Sequence, residues 1–200
     1  MKHQRTFLNS GHHNNDEGAR YGFYTESEIN KKIRDHAKKK LLNGRYIPDN
    51  LDLEHSIRWV EDELKSGDDL GDLAIDIHLN FSKNKNVKGC EVYFLHDHSL
   101  AQSLSAYVSK KTGLTNRGAR HMSESRLKNL GWLEQISCNS LLIEVCYPSN
   151  DFDRLFIGYP MGQIKAGWAI AEWCNKFHLS GRLSKRFKIN RNLLLNILTK

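Results

Sequence analysis

Several features that define other classes of protein are absent from this chain of 200 residues. No apolar run approaches the roughly 18 residues that a membrane-spanning helix needs, so we expect no membrane partner. No RRM, KH, helix-turn-helix or zinc-finger signature occurs, which argues against nucleic acid as a partner. The basic start, residues 1–6, is not followed by the apolar core of a signal peptide. We therefore expect synthesis in the cytoplasm without a signal peptide.

Cysteine pairs with metal-ligand spacing are also absent. Cys90, Cys138, Cys146 and Cys174 lie far apart and form no CxxC pair, so a structural zinc site built on thiolates is not expected. Three of them, Cys90, Cys146 and Cys174, lie in apolar segments that are typical of buried thiols. Low-complexity tracts are absent, and 39% of the residues are hydrophobic, which is enough for one enzyme-sized domain with a buried core.

Positive charge is concentrated near the end of the chain. The formal net charge is +7, which favours a polyanionic partner. Residues 180–200 contain no acid, and their cations are Arg182, Lys185, Arg186, Lys188, Arg191 and Lys200. This composition predicts a body, residues 1–179, and a basic C-terminal tail, residues 180–200, that could bind an anionic polymer. The alternative is that the tail is a last helix docked on the body.

Short apolar segments alternate with helical patterns along the body. The apolar segments typical of strands are residues 6–10, 73–79, 90–95 and 140–146. Helical spacing of apolar residues occurs in residues 25–41, 53–64, 98–111 and 161–177. Residues 42–53 contain no clear strand, which leaves the local topology open. This order predicts an α/β fold, a three-layer sandwich with a mostly parallel twisted central sheet and helices on both faces.

Three polar side chains lie where an α/β core normally has none. His12 follows the first strand, His78 ends a buried apolar strand, and Glu144 lies inside another. An unpaired carboxylate in such a strand costs several kcal/mol in desolvation. Because ligands bind outside the carboxyl ends of strands in open α/β sheets, we expect the three groups to converge on one crevice.

Zinc hydrolysis is the chemistry that suits such a set. Catalytic zinc takes three His, Asp or Glu ligands and leaves a fourth position open, and a separate carboxylate moves the proton. His12, Glu28 and His78 can supply the ligands, and Glu144 can supply the base. Structural roles are equally compatible with the residues alone. The histidines could be hydrogen-bonded structural residues, Glu28 a helix-start carboxylate and Glu144 a buried ion-pair partner.

Six short segments together resemble the type 3 N-acetylmuramoyl-L-alanine amidases. They follow the order and approximate spacing of that family across residues 7–177 and read GH (11–12), DEGA (16–19), DIHLN (76–80), GCEVYF (89–94), NRGA (116–119) and LIEVC (142–146). The resemblance implies a zinc-dependent enzyme that acts on peptidoglycan, with residues 1–179 as its catalytic domain. It would hydrolyse the amide bond between the lactyl group of N-acetylmuramic acid and the L-alanine of the stem peptide.

The resemblance also implies that one Zn²⁺ ion is bound by His12, Glu28 and His78. The opening loop reads Gly-His-His-Asn-Asn where the family usually has Gly-His-Gly-Gly, so His13 competes with His12. We prefer His12 because it holds the motif position. Glu26 competes with Glu28, and we prefer Glu28 because an apolar residue then falls where the family tends to carry one.

The remaining site residues follow from the same resemblance. Glu144 matches the catalytic carboxylate, and Asn80 and Arg117 match recurrent positions near the cleft, where we expect substrate contacts or support of the site. The basic tail would then bind anionic wall polymers.

Two other functions remain as alternatives. A zinc carboxypeptidase could use the same ligands, with Arg117 or Arg120 binding the substrate's terminal carboxylate. A non-catalytic cell-wall-binding module could use the basic surface alone, although such a module would normally have lost a ligand or Glu144. A single catalytic domain with a short basic tail resembles a bacteriolytic phage endolysin, whose site of action is the bacterial wall.

Overall fold

A computed structural model describes residues 4–13, 15–66, 71–188 and 190–199. Its strands are β1 (Thr6–Ser10), β2 (Arg20–Tyr21), β3 (Tyr24–Thr25), β4 (Gly44–Tyr46), β5 (Leu73–His78), β6 (Cys90–Phe94), β7 (Asn116–His121) and β8 (Asn139–Glu144). Its α-helices are α1 (Glu26–Lys38), α2 (Leu53–Lys65), α3 (His98–Thr112), α4 (Gly131–Gln135), α5 (Asp151–Gly158), α6 (Pro160–Phe187) and α7 (Arg191–Thr199). None of these helices has the length and apolar character needed to span a membrane.

A six-stranded sheet with the order β4-β1-β5-β8-β6-β7 forms the centre of the fold. All neighbouring strands are parallel except β6 and β8, which are antiparallel. The predicted mostly parallel α/β sheet is therefore confirmed. The reversal at β6 brings the start of that strand beside the end of β8, so Glu91 pairs with Glu144, which pairs with His78 on its other side.

Helices cover both faces of the sheet because its strands are apolar on both sides. Leu8, Ile75 and Ile143 point to the face that is packed by α1, α3 and α6. Phe7 and Leu142 point to the opposite face, which α2 and α4 cover. Toward the carboxyl ends of the parallel strands this second face becomes polar, and the candidate site lies there.

Two connections differ from the sequence expectation. The segment without a clear strand contains β4, a three-residue edge strand whose residues are not fully buried, so it carries no apolar run. The hairpin formed by β2 and β3 has only two residues in each strand, too few for a strand pattern. Cys90, Cys146 and Cys174 are buried free thiols, as predicted.

The end of the chain packs on the body. The predicted boundary between residues 179 and 180 falls inside α6. In α7, Leu195 is buried in the main core, and the Arg191 guanidinium lies 3.6 Å from the centre of the Phe177 ring. Ile189 and Lys200 lie outside the described residues. Binding of anionic polymers by this region stays a prediction.

Candidate metal centre

Three strands deliver polar side chains to one place at the carboxyl end of the sheet. His12 lies two residues after β1, His78 is the last residue of β5, and Glu144 is the last residue of β8. The His12 and His78 rings lie 5.0 Å apart, edge to face. The geometry therefore brings together the residues that their strand-end positions predicted.

Glu26 completes a cluster with the two histidines. Its Oε1 atom lies 3.3 Å from His12 Nε2 and 3.1 Å from His78 Nδ1. One ligand atom from each residue lies within 4.8 Å of the others. The same carboxylate accepts hydrogen bonds from the backbone N–H groups of Ala19 and Leu79, so Glu26 is held in place from several sides.

The structure corrects the expectation that Glu28 joins the histidines. Thr25 is the N-cap of α1 and accepts a hydrogen bond from the Glu28 N–H, while the Glu28 carboxylate accepts one from the Thr25 N–H. This is a capping box, and its Thr-x-x-Glu spacing is present in the sequence. The Glu28 carboxylate is therefore held at the exposed start of the helix. Glu26, at the first helical position, faces the two histidines.

His12, and not His13, contributes its ring to the cluster. The His12 backbone has a φ of 66°, in the left-handed region, which is uncommon for a non-glycine residue and recurs at functional sites. His13 instead forms an isolated backbone bridge with Asp16, and its Nδ1 atom accepts a hydrogen bond from the Asn15 N–H.

Two glycines make room for the histidine rings. A Cβ atom on Gly11 would lie 2.2 Å from the His78 ring. A Cβ atom on Gly18, which has a φ of 66°, would lie 2.6 Å from the His12 ring and 2.8 Å from Glu26. All three distances are far below van der Waals contact, so the glycines of the GH and DEGA segments are steric requirements of the cluster.

Each histidine has a second carboxylate on the ring nitrogen that points away from Glu26. His12 Nδ1 lies 2.9 Å from Asp16 Oδ2, and His78 Nε2 lies 3.1 Å from Asp76 Oδ2. Burial acts to lower the pKa of His78, but Asp76 and Glu26 outweigh it and hold the pKa well above its usual value. The carboxylates thus orient both rings and raise their basicity.

The two outer carboxylates differ in burial. The side chain of Asp16 is 59% exposed, whereas that of Asp76 is 3% exposed. Asp76 also accepts a hydrogen bond of 2.9 Å from Asn9 Nδ2. Because water screens an exposed charge, the interaction of Asp76 with its histidine is the stronger of the two.

One carboxylate oxygen of Glu144, the buried Oε2 atom, makes no hydrogen bond to any described residue. Burial raises the pKa of Glu144 to about 8, and the carboxylates of Glu26, Glu91 and Asp76 act in the same direction. A carboxyl group with such a pKa can accept and release a proton near neutral pH.

A buried carboxylate that our sequence reasoning did not select, Glu91, organises the neighbouring polar groups. Its Oε1 atom accepts hydrogen bonds from Asn80 Nδ2 at 3.0 Å and from the Tyr147 hydroxyl at 2.7 Å. Its Oε2 atom accepts one from Arg117 Nε at 2.8 Å. Glu91 is an acidic residue in an apolar strand. The same feature identified Glu144 in the sequence, and it could also have identified Glu91.

Asn80 and Arg117 thus lie together beside Glu144, but they are held differently. Asn80 donates to Glu91 and to Tyr147, and its side-chain oxygen accepts the Phe81 N–H. These hydrogen bonds hold the Asn80 side-chain amide against the protein interior. Arg117 has a side chain that is 26% exposed, and its guanidinium lies over the Tyr147 ring. Arg117 is therefore the one of the two that faces solvent.

The donor set fits a divalent metal ion of the zinc type. Two imidazole nitrogens and one carboxylate oxygen are grouped as in three-ligand catalytic sites, and Glu144 is an additional carboxylate on an adjacent strand. The Oε2 atom of Glu144 has no hydrogen-bond partner among the residues that the structure describes, as expected for a group that acts on a ligand and does not stabilise the fold.

Sequence comparison gives a family match over most of the chain. A family model described as N-acetylmuramoyl-L-alanine amidase matches residues 7–175. The chain is 31% identical over 163 residues to a probable cell wall amidase LytH of Staphylococcus epidermidis, a match that covers 78% of this chain and 52% of LytH. A LytH of Staphylococcus saprophyticus is 30% identical over 158 residues, or 77% of this chain and 51% of that protein. The chain spans about half the length of these relatives.

Solved structures share the fold at low sequence identity. The catalytic domain of CwlV from Bacillus (Paenibacillus) polymyxa superposes with a TM-score of 0.70 at 21% identity, covering 94% of this chain and 99% of that one. An N-acetylmuramoyl-L-alanine amidase from Clostridium difficile 630 gives 0.72 at 20% identity, with 92% and 98% covered. The catalytic domain of the CD27L endolysin gives 0.62 at 22% identity, with 85% and 96% covered.

Proposed function

Because this chain belongs to the N-acetylmuramoyl-L-alanine amidase family, we propose that it hydrolyses peptidoglycan at the amide bond between the lactyl group of N-acetylmuramic acid and L-alanine. The observation that carries the proposal is the cluster of His12, Glu26 and His78 beside Glu144, whose buried Oε2 atom has no hydrogen-bond partner in the described part of the chain. The LytH proteins that it resembles are described as probable cell wall amidases. An endolysin setting stays a prediction.

His12, Glu26 and His78 would hold one Zn²⁺ ion. Two imidazoles and a carboxylate are a ligand set that catalytic zinc uses, and carboxylates behind both histidines fix the rings for binding. When bound, zinc supplies a Lewis acid that polarises the scissile carbonyl and lowers the pKa of water.

Glu144 would move the proton during hydrolysis. Its carboxylate accepts a proton from the attacking water, whose oxygen bonds to the carbonyl carbon. The carboxyl group then delivers that proton to the L-alanine nitrogen as the amide bond breaks. A pKa raised by burial suits both steps, because the group is a stronger base than an exposed glutamate and still releases the proton near neutral pH.

Arg117 would contact the substrate, and Asn80 would support the site through Glu91. The bonds of Asn80 are directed inward, whereas the partly exposed Arg117 guanidinium lies at the surface of the same network. Glu91 binds the guanidinium through Nε, and the remaining N–H groups of Arg117 can donate to a polar group of the substrate.

Identification of the new termini in digested peptidoglycan tests the activity. We expect the zinc-loaded protein to release stem peptides with a free L-alanine amine and to leave glycan strands intact. A free C-terminal amino acid as the product would indicate a carboxypeptidase instead. Adsorption to the wall without new termini would indicate a binding module.

Replacement of the two outer carboxylates tests how the histidines are held. Asp76→Asn should weaken zinc binding about 10–100-fold, the usual effect of losing a partner behind a ligand. Asp16→Asn, the matched control, should weaken it by only about threefold, because the exposed carboxylate is screened by water. Competition with a chromogenic chelator measures both dissociation constants, and thermal unfolding of the metal-free variants checks the fold. Equal losses in the two variants would contradict the role given to Asp76.

A further inference from the structure

A basic cavity opens beside the candidate metal centre. Its volume is about 370 Å³, and its described lining includes four cations and no acid. The cations are Arg20, Lys83, Lys85 and Arg154. The cavity also has an apolar part, formed in part by the ring of Phe81, which is 57% exposed, and by Pro148.

The cavity is lined by residues that lie close in sequence to the site residues, on the same three segments of the chain. Phe81 lies three residues after His78, Pro148 lies four residues after Glu144, and Tyr21 lies five residues before Glu26. Since an extended chain advances about 3.3 Å per residue, the first two walls begin within about 10–14 Å of the site. The Tyr21 hydroxyl donates a hydrogen bond to the Asn80 carbonyl, which joins two of these walls directly.

Two of the four cations are already neutralised and two are not. Arg20 is 2.7 Å from Glu17, and Arg154 is 2.6 Å from Asp151. Lys83 and Lys85 are exposed and form no ion pair with the described residues. Their loop is fixed to the opposite wall, because the Ser82 N–H donates to Ser149 Oγ and Asn150 Nδ2 donates to the Lys85 carbonyl. The cavity thus presents unneutralised positive charge on an ordered loop.

We propose that this cavity binds a carboxylate of the stem peptide and so determines which way the substrate lies across the site. The inference rests on the proposed amidase function. Once the lactyl carboxyl is part of the amide, the muramic acid next to the scissile bond carries no charge, whereas an acidic stem peptide carries ionised carboxylates. Charge complementarity therefore directs the peptide toward Lys83 and Lys85, with the glycan on the other side of Glu144. The Phe81 ring provides an apolar surface for the peptide's aliphatic parts.

NMR titration with a synthetic peptide tests the proposal without any turnover. The probe is an acidic stem peptide that begins with L-alanine, compared with the same peptide after conversion of its side carboxylates to amides. We expect the acidic peptide to bind about tenfold more tightly, with shifts in the Ser82 and Ser149 amide signals. The double variant Lys83→Gln/Lys85→Gln should remove that difference.

A second double variant removes two positive charges far from the cavity and so provides the control for a general loss of positive charge. Lys38 and Lys39 are exposed at the end of α1, about 20 Å from Glu26 at its start, given 1.5 Å per helical residue. Lys38→Gln/Lys39→Gln should bind the acidic peptide like the unchanged protein. In the peptidoglycan assay, the cavity variant should raise KM about tenfold and change kcat less than twofold.

The outcomes separate this inference from the proposed function. Equal binding of the acidic and amidated peptides, or an equal loss in both double variants, would overturn the cavity proposal and leave amidase activity intact. Equal shifts with inorganic phosphate or a glycerol phosphate polymer would overturn it in favour of a phosphate-bearing wall polymer. Charge-dependent peptide binding in a protein that releases no L-alanine amine would support the cavity and contradict the amidase proposal.

Discussion

Glu144→Gln should lower the turnover of peptidoglycan by about 10²–10⁴-fold, the range that general acid–base groups contribute. The amide has nearly the same shape as the carboxyl group, so the packing of β8 should not change. It cannot accept the proton of water, and it cannot donate one to the leaving amine. Glu144 is not among the three clustered ligands, so the variant should retain zinc.

Two measurements on the Glu144→Gln protein check this expectation. Release of L-alanine amines gives the rate, and zinc content per chain is determined in the same preparation. Near-normal turnover in a zinc-loaded variant would rule out Glu144 as the proton carrier. Loss of zinc would make Glu144 a ligand, and the base would then have to be another residue.

Glu26→Ala should remove zinc binding and, with it, activity. Glu26 Oε1 lies within 3.3 Å of ring nitrogens from both histidines, and its removal leaves two of the three ligands. We expect zinc affinity to fall by more than about 100-fold, since loss of a partner behind a ligand alone costs 10–100-fold. Turnover without added zinc should fall to background.

Glu28→Ala is the matched control for this variant, two residues away on the same helix. It removes the carboxylate from the capping box of α1 and should cost about 0.5–1.5 kcal/mol of stability, the net value of a typical hydrogen bond. Its zinc affinity should stay within about threefold of the original, because exposed charges are strongly screened. The reverse pattern, with zinc lost in Glu28→Ala and kept in Glu26→Ala, would restore the ligand assignment first made from the sequence.

The architecture and three of the site residues could be predicted from the sequence, because both predictions depend on recognising apolar strands. Short apolar segments separated by helices predict a covered parallel sheet, and polar residues at or near the ends of such segments stand out. His12, His78 and Glu144 were identified in this way. The edge strand β4 could not be predicted, because a short strand that is not fully buried has no apolar pattern.

The two errors in the site have different physical causes. The choice of Glu28 gave too little weight to its alternative role at the helix start, where the third residue after an N-cap threonine turns back to the N-cap backbone. Glu91 was omitted although its position in an apolar strand is the same signal that identified Glu144, whereas its partners, which come from distant segments, could not be predicted. Arg117 is 26 residues away in sequence and Tyr147 is 56 residues away. Only the sheet order brings these groups together.

The reversed strand β6 also has a consequence for the stability of the fold. It pairs Glu91 with Glu144, two acidic residues directly opposite each other, and the buried Glu144 Oε2 atom makes no hydrogen bond within the described ranges. A buried oxygen without a hydrogen bond costs about 1–3 kcal/mol, and the Glu91 carboxylate opposes ionisation of Glu144. Folding alone would favour an apolar side chain at residue 144, so we expect a selection for thermal stability alone to replace this carboxylate and to yield a more stable, inactive protein.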